Sequence, residues 1–185
     1  MKNLIIIAAG GMGRTLYDMS RESRGYGEEF VVKGFIDDNL YALDGFTNYP
    51  PILDRISTYI PQKDDVFVCS IGGAIRKKCM EELINKGALF ISLIHRTARI
   101  GTNVKLGVGN IVGAYTSIGA DAKIGSYNLI QSYTVIGNEA DIYTSSVLNH
   151  GVVVEDRAHV GACSFVIRRV KEGTTVMGNP AKKLM

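Results

Sequence analysis

Cysteine is scarce in this chain, and the three present, Cys69, Cys79 and Cys163, are scattered. An odd, unpatterned set offers neither a disulfide framework nor zinc-ligand spacing, so a reduced cytoplasm and no metal are expected. A strong charge of one sign is also missing. The net charge is +3 and the pI about 8.7. With no basic tract interleaved with aromatics, neither a nucleic acid nor a membrane surface is expected as a partner. Long apolar runs are missing too. The opening "MKNLIIIAAG" is too short to span a bilayer and lacks the full apolar region of a signal peptide. It reads as a buried first strand. What remains is 185 residues, 46% hydrophobic and 21% charged. That is enough for one domain or two small ones around a sizeable core.

Residues 1–92 alternate strand-like and helix-like stretches. Leu4–Ile7 runs into the glycine turn "AAGGMGR", a buried strand followed by a tight turn. "RTLYDMSRES" reads as a helix with Leu16, Met19 and Ser20 on one face, ended by Gly25. "FVVKGFIDD" and "VFVCSIGG" read as further strands, "AIRKKCMEELINKG" as a helix stopped by Gly87, and "ALFISLI" as a fourth strand. The alternation predicts a small parallel α/β sheet.

Residues 93–185 keep a different beat. Ile100, Leu106, Val112, Ile118, Ile124, Ile130, Ile136, Ile142, Leu148, Val154, Val160 and Val166 fall six apart. These residue types are 48 of the 185, so such a phase arises by chance roughly once in ten million. Glycine follows the anchor at 101, 107, 113, 119, 125, 137 and 161, and mostly small residues stand four after it. This is the hexapeptide pattern of a parallel β-helix, with residues 18 apart stacked at about 4.8 Å. The glycines are expected to supply a backbone conformation that other residues resist.

Candidate binding residues collect at expected strand ends. Gly10, Gly11 and Gly13, with Arg14 beside them, open a helix after a strand. Bare amides there suit a phosphate, and a tight turn needing glycine explains them equally well. Asp37 and Asp38 end the next strand, where a carboxylate accepts from ribose or uracil or caps a solvated turn. Gly72, in Ser70–Gly73, ends the third at the same edge.

The order of these motifs, with "GFIDDN" early and "VMGNPAKKL" at the end, resembles one bacterial sugar acyltransferase family. It is the family of the sialic acid O-acetyltransferase (NeuD-like) and bacillosamine-precursor N-acetyltransferase (PglD-like) proteins. The resemblance covers the whole chain. It implies a left-handed hand for the β-helix, acetyl-CoA as co-substrate, a sugar nucleotide, UDP-linked, in the first domain, and a homotrimer with active sites between subunits. The implied reaction is acetyl transfer to an amino or hydroxyl group of the sugar, for surface polysaccharide.

In such relatives a histidine in a β-helix turn, usually followed by an acid, is the base, and a second histidine nine residues on lies beside the cofactor. His150 and His159 are nine apart. His150, two after anchor Leu148, points outward at a bend and carries the role of general base. His159, with Gly161, Ala162 and Lys171, falls to acetyl-CoA; 18 after Asp141, it is equally placed for a surface charge pair. Arg168, Arg169, Lys171, Lys182 and Lys183 suit coenzyme A phosphates, or are solvated end charges. His95 reads as structural or binding.

Three positions depart from the pattern: Gly151 replaces the acid, Met12 a glycine-loop histidine, and, aligned from the front, Asn138 beside Glu139 stands at the catalytic histidine, with about four hexads missing. A non-catalytic trimer that binds a sugar nucleotide is therefore the alternative reading.

Overall fold

The computed structural model describes residues 1–72 and 75–184. Gly73 and Ala74, in the expected strand-end loop and helix start, and Met185 lie outside the described residues. The chain divides into two compact units, Met1–Ile91 and Ser92–Met185.

The first unit is a five-stranded parallel sheet. Strand β1 (Lys2–Ile7) leads into helix α1 (Gly11–Arg21). Then come β2 (Phe30–Ile36), β3 (Ile52–Asp54), β4 (Asp65–Cys69), α2 (Ile75–Asn85) and β5 (Leu89–Phe90). The sheet order is β3-β2-β1-β4-β5. Leu4 to Ile7 are fully buried, as expected of a central parallel strand covered on both faces. Helix α1 begins earlier than its apolar pattern suggested, at Gly11, and turns its buried Gly13, Leu16 and Ser20 inward. It stops at Arg21, not at Gly25, because the Glu22 amide bonds back to the Met19 and Ser20 carbonyls. Edge strand β3 was not expected; its three residues are too few to show alternation.

A buried carboxylate braces this unit. Asp65 accepts from Tyr59 Oη at 2.6 Å, the Gln62 amide at 2.9 Å and Lys33 Nζ at 3.1 Å. Burial alone pushes its pKa up, but the Tyr59 hydroxyl, the Gln62 amide and Lys33 outweigh it and hold the carboxyl below its ordinary value. A folded-state pKa below the unfolded one adds stability above the unfolded pKa of about 3.9, lost as pH falls through the folded value. Asp65→Asn is expected to cost on the order of 2–3 kcal/mol at pH 7. Denaturant titrations at stepped pH should also show the variant losing less stability than wild type below about pH 4.

The second unit is a left-handed parallel β-helix. Two-residue strands repeat every six residues and fall on three faces. The first face holds Leu93–Ile94, Ile111–Val112, Leu129–Ile130, Val147–Leu148 and Phe165–Val166. The second holds Arg99–Ile100, Ser117–Ile118, Val135–Ile136 and Val153–Val154. The third runs Lys105–Leu106, Lys123–Ile124, Asp141–Ile142, His159–Val160 and Thr175–Gly178, closed by the antiparallel Ala181–Lys183. Partners stand 18 residues apart, as in Ile118 with Ile136. Anchors from Val112 to Val166 are all buried.

The structure corrects the sequence reading in three places. "ALFISLI" is not one strand. Leu89–Phe90 pairs with β4, whereas Leu93–Ile94 pairs with Ile111–Val112, so the coil starts one hexad before Ile100. The last coil is two residues short: Val170 pairs with Val154 and Val176 with Val160. Val170, expected among the small fifth-place residues, therefore serves as an anchor. Finally, the left-handed backbone belongs to the residue three after each anchor from Ile100 to Val160, among them Tyr115, Asp121, Tyr133 and Glu139, with φ of 55–60°. The glycine next to the anchor is needed for closeness. A Cβ on Gly119 would lie 2.6 Å from the Asn138 amide nitrogen in the next coil.

Candidate functional site

In the first unit the chain moves outward from β1 through β2 to β3, then returns to the other side of β1 as β4. Ligands of open α/β sheets collect where the strand order reverses, beyond the carboxyl ends of the strands. The ends of β1 and β4 carry Gly10–Gly13 and Ser70–Gly72. Gly10 caps α1 without a side-chain hydrogen bond, and no acid stands in the first turn. The first amides of a helix lack internal partners and sit at its positive end. A Cβ on Gly10, Gly11 or Gly72 would meet nothing within 4 Å, whereas one on Gly13 would lie 2.0 Å from the Ala8 carbonyl oxygen. Gly13 is thus a packing glycine, and Gly10 and Gly11 border open space.

The polar residues around this loop divide between support and surface. Asp37 accepts from the Ala9 and Asn39 amides, both at 2.8 Å, so its carboxylate ties the end of β2 to the glycine loop. Asp38 is exposed, and among the described residues its carboxylate meets only Ser57, through the amide and the hydroxyl at 3.4 Å each. Arg14 folds back, donating to the Ala9 carbonyl at 3.1 Å with its guanidinium 3.8 Å above the Phe46 ring. Two supports escaped the sequence reading. Ser70 Oγ donates to the Ile7 carbonyl at 2.6 Å, and buried Arg76 donates to the carbonyls of Cys69 and Ile71. Neither carries a sequence signal, because each acts on a backbone brought near only by folding.

In the second unit His150 is exposed where the chain leaves the first face. Its neighbour in space is the Tyr133 ring, with centroids 5.3 Å apart. His159 stands on the third face, so one subunit does not bring the two histidines to a single face. Its Nδ1 lies 3.2 Å from Asp141 Oδ2, and Lys123 Nζ lies 3.8 Å from Asp141 Oδ1. The expected pairing of His159 with Asp141 is therefore formed. Gly161 is not open, because a Cβ there would lie 2.8 Å from Met177 Cγ. Ala162 next to it is exposed. Asn138 is a rung between coils: its Oδ1 accepts from the Ala120 amide at 2.9 Å and its own amide donates to Asp156 at 2.8 Å. Glu139 is an exposed corner residue. His95 is buried, its Nδ1 2.8 Å from Thr97 Oγ1, a structural role.

A groove of about 360 Å³ closes the end of the β-helix, lined by Val166, Arg168, Arg169, Lys171, Lys182 and Lys183 among others. Arg169 pairs with Glu155 at 2.8 Å. Among the described residues no carboxylate pairs with Arg168, Lys171, Lys182 or Lys183, which leaves a cationic lining suited to phosphate. Val166 stands in register with Leu148, two residues before His150. The groove therefore begins one coil, about 4.8 Å, above the coil that carries His150.

A family model described as the PglD N-terminal domain matches residues 3–83. That match lies within the first unit, and it is residues 3–83 that are similar to the domain. No curated protein matches the chain in sequence. Among solved structures, a mutant of perosamine N-acetyltransferase from Caulobacter crescentus, in complex with CoA and GDP-perosamine, is similar with a TM-score of 0.67 at 20% identity. That match covers 100% of this chain and 98% of the other. The acetyltransferase domain of PglB from Neisseria gonorrhoeae FA1090 is similar at 0.56 and 22% identity, over the full length of both chains. WeeI from Acinetobacter baumannii AYE is similar at 0.50 and 20%, again over both whole chains. At this identity the likeness is one of fold, and it covers the whole chain. Among the described residues no helix is long and apolar enough to cross a membrane, and no cluster of candidate ligands could hold a metal ion.

Proposed function

We propose that this protein transfers the acetyl group of acetyl-CoA to the amino group of a nucleotide-linked sugar, in the cytoplasm and towards a surface glycan. The observation that carries this reading is a cationic groove one coil above an outward-facing histidine, in which Arg168, Lys171, Lys182 and Lys183 pair with no carboxylate among the described residues. Lys171 and its neighbours meet the coenzyme phosphates, and the thioester reaches down to the coil of His150. The sugar amine attacks the thioester carbonyl while neutral His150 takes its proton. Backbone amides steady the tetrahedral oxyanion. The carbon–sulfur bond then breaks, and the departing thiolate takes a proton to leave as free CoA. The nucleotide lies at the open amides of Gly10 and Gly11, with exposed Asp38 accepting from it, and Gly13, Asp37 and Arg14 shape the loop.

His150 and His159 stand on different faces. We place the coenzyme between copies of a homotrimer, with the base from one copy and the His159 face, with Ala162 and Gly161, from the next. Light scattering after size exclusion should give three times the 20.1 kDa chain, and a monomer at micromolar concentration rejects this arrangement.

Free-thiol release over UDP- and GDP-linked amino sugars, with hydroxyl-only sugars alongside, tests the reaction. Turnover confined to amino sugars is expected, whereas turnover of the hydroxyl sugars would assign O-transfer. Calorimetry with the active sugar nucleotide should show Asp38→Ala weakening binding by about tenfold or more, as for a lost charged hydrogen bond. An unchanged affinity moves the nucleotide elsewhere. The lack of an acid after His150, where Gly151 stands, favours a second reading, a non-catalytic sugar-nucleotide binder. Nucleotide binding without thiol release from any sugar would select it.

A further inference from the structure

A histidine base is ordinarily held in one tautomer and one ring orientation by a hydrogen bond to its second nitrogen. Among the described residues His150 has no hydrogen bond and no ion pair. Its contact is aromatic: the imidazole lies 5.3 Å from the Tyr133 ring at an interplanar angle of 60°. Tyr133 is stacked in turn on Tyr115, at 5.1 Å and 26°. The two tyrosines occupy the same corner position one coil apart, with φ of 60° and 55°. The third rung of this column is Gly151, with φ of 69°.

Neither of the usual reasons for a glycine applies at 151. The backbone does not require one, since Asn103, Tyr115, Asp121, Tyr133 and Glu139 hold the same conformation at equivalent corners. Space does not require one either, since a Cβ on Gly151 would meet nothing within 4 Å. By contrast, a Cβ on Gly109, another corner glycine, would lie 2.3 Å from the Tyr127 ring. What the bare rung does is leave the top of the tyrosine column uncovered, and the His150 ring leans over Tyr133 there.

We propose that Tyr133, braced by Tyr115, is the positioning residue for His150, and that Gly151 is a vacant rung keeping the imidazole open to the acceptor. The inference rests on the reading of His150 as the base. A ring pressed against Tyr133 has fewer orientations than one free in solvent, and the neighbour that would otherwise orient it through a hydrogen bond is missing from this chain. The tyrosine hydroxyl takes no part, so the ring alone should suffice.

The test uses the full-length protein and the sugar nucleotide that turns over. Tyr133→Asn, whose side chain tolerates the left-handed corner, should lower kcat about five- to tenfold with the KM for acetyl-CoA unchanged. Tyr133→Phe should stay within about twofold of wild type. Gly151→Tyr, a residue the corner accepts at 115 and 133, should extend the stack, displace His150 and lower kcat by tenfold or more. Unchanged kcat in Tyr133→Asn, or an equal loss in Tyr133→Phe, overturns the proposal while leaving His150 in place as base if His150→Ala is inactive. If His150→Ala keeps the wild-type rate, the base reading fails first and the proposal falls with it. A second readout needs no activity. The His150 ring protons should show an aromatic ring-current shift by NMR that Tyr133→Asn removes and Tyr133→Phe keeps. Its absence in wild type overturns the positioning outright.

Discussion

His150→Ala is expected to lose about 10²–10⁴ in kcat, the usual contribution of a positioned general base, while binding acetyl-CoA nearly as well as wild type. The imidazole is exposed and bonds to no other group among the described residues. Its removal therefore leaves no cavity and no stranded partner, and the stability change should stay within about 0.5 kcal/mol. The loss should be confined to kcat because an interaction made only as the proton moves contributes nothing to ground-state binding. His159→Ala should behave differently. It removes the partner 3.2 Å from Asp141 on the third face, and the expected change is a raised KM for acetyl-CoA with kcat nearly retained. Steady-state kinetics on both variants separate the two roles. A His150→Ala enzyme that keeps most of its rate assigns the base elsewhere.

Gly119→Ala carries the largest expected effect on stability. The added Cβ would lie 2.6 Å from the Asn138 amide nitrogen and from the Gly137 carbonyl carbon, and 2.8 Å from the Gly137 carbonyl oxygen. All three atoms are backbone, so no side chain can swing away. The coils would have to part where the Gly119 amide bonds the Ile136 carbonyl at 2.7 Å. The cost should reach about 3 kcal/mol, the upper end of ordinary overpacking. For a chain of this length that lowers Tm by roughly 6–12 °C. Gly11→Ala is the control, since a Cβ there meets nothing within 4 Å and alanine is the better helix former. Equal melting temperatures for Gly119→Ala and wild type would mean that the coils are looser than these distances.

The β-helix was legible because its symmetry is local. Every sixth residue meets the same surroundings, so Val112 through Val166 are apolar one after another, and three steps of six bring each onto the anchor one coil below. The parallel sheet was legible for a similar reason: the run Leu4–Ile7 has no polar face to turn outward, which only a covered central strand tolerates. The outward places of His150 and His159 followed from the same arithmetic, since each lies off the anchor phase.

Tertiary structure decided what each polar residue and each glycine is for. Asp37 and Asp38 are indistinguishable in sequence, yet one is committed to the glycine-loop backbone and the other is exposed, with only long contacts to Ser57 among the described residues. Asn138 could stand for a lost histidine until its side chain is seen bonding the coils on either side. Gly119 and Gly151 differ in the same way: one faces backbone at 2.6 Å and the other faces nothing. "ALFISLI" reads as one strand because its apolar pattern is continuous, but its ends pair with β4 and with Ile111–Val112 in different units. Periodicity records which way a residue points relative to its own segment. Which backbone then comes within 3 Å of it depends on residues 18, 28 or 63 positions away, and only the folded chain brings those together.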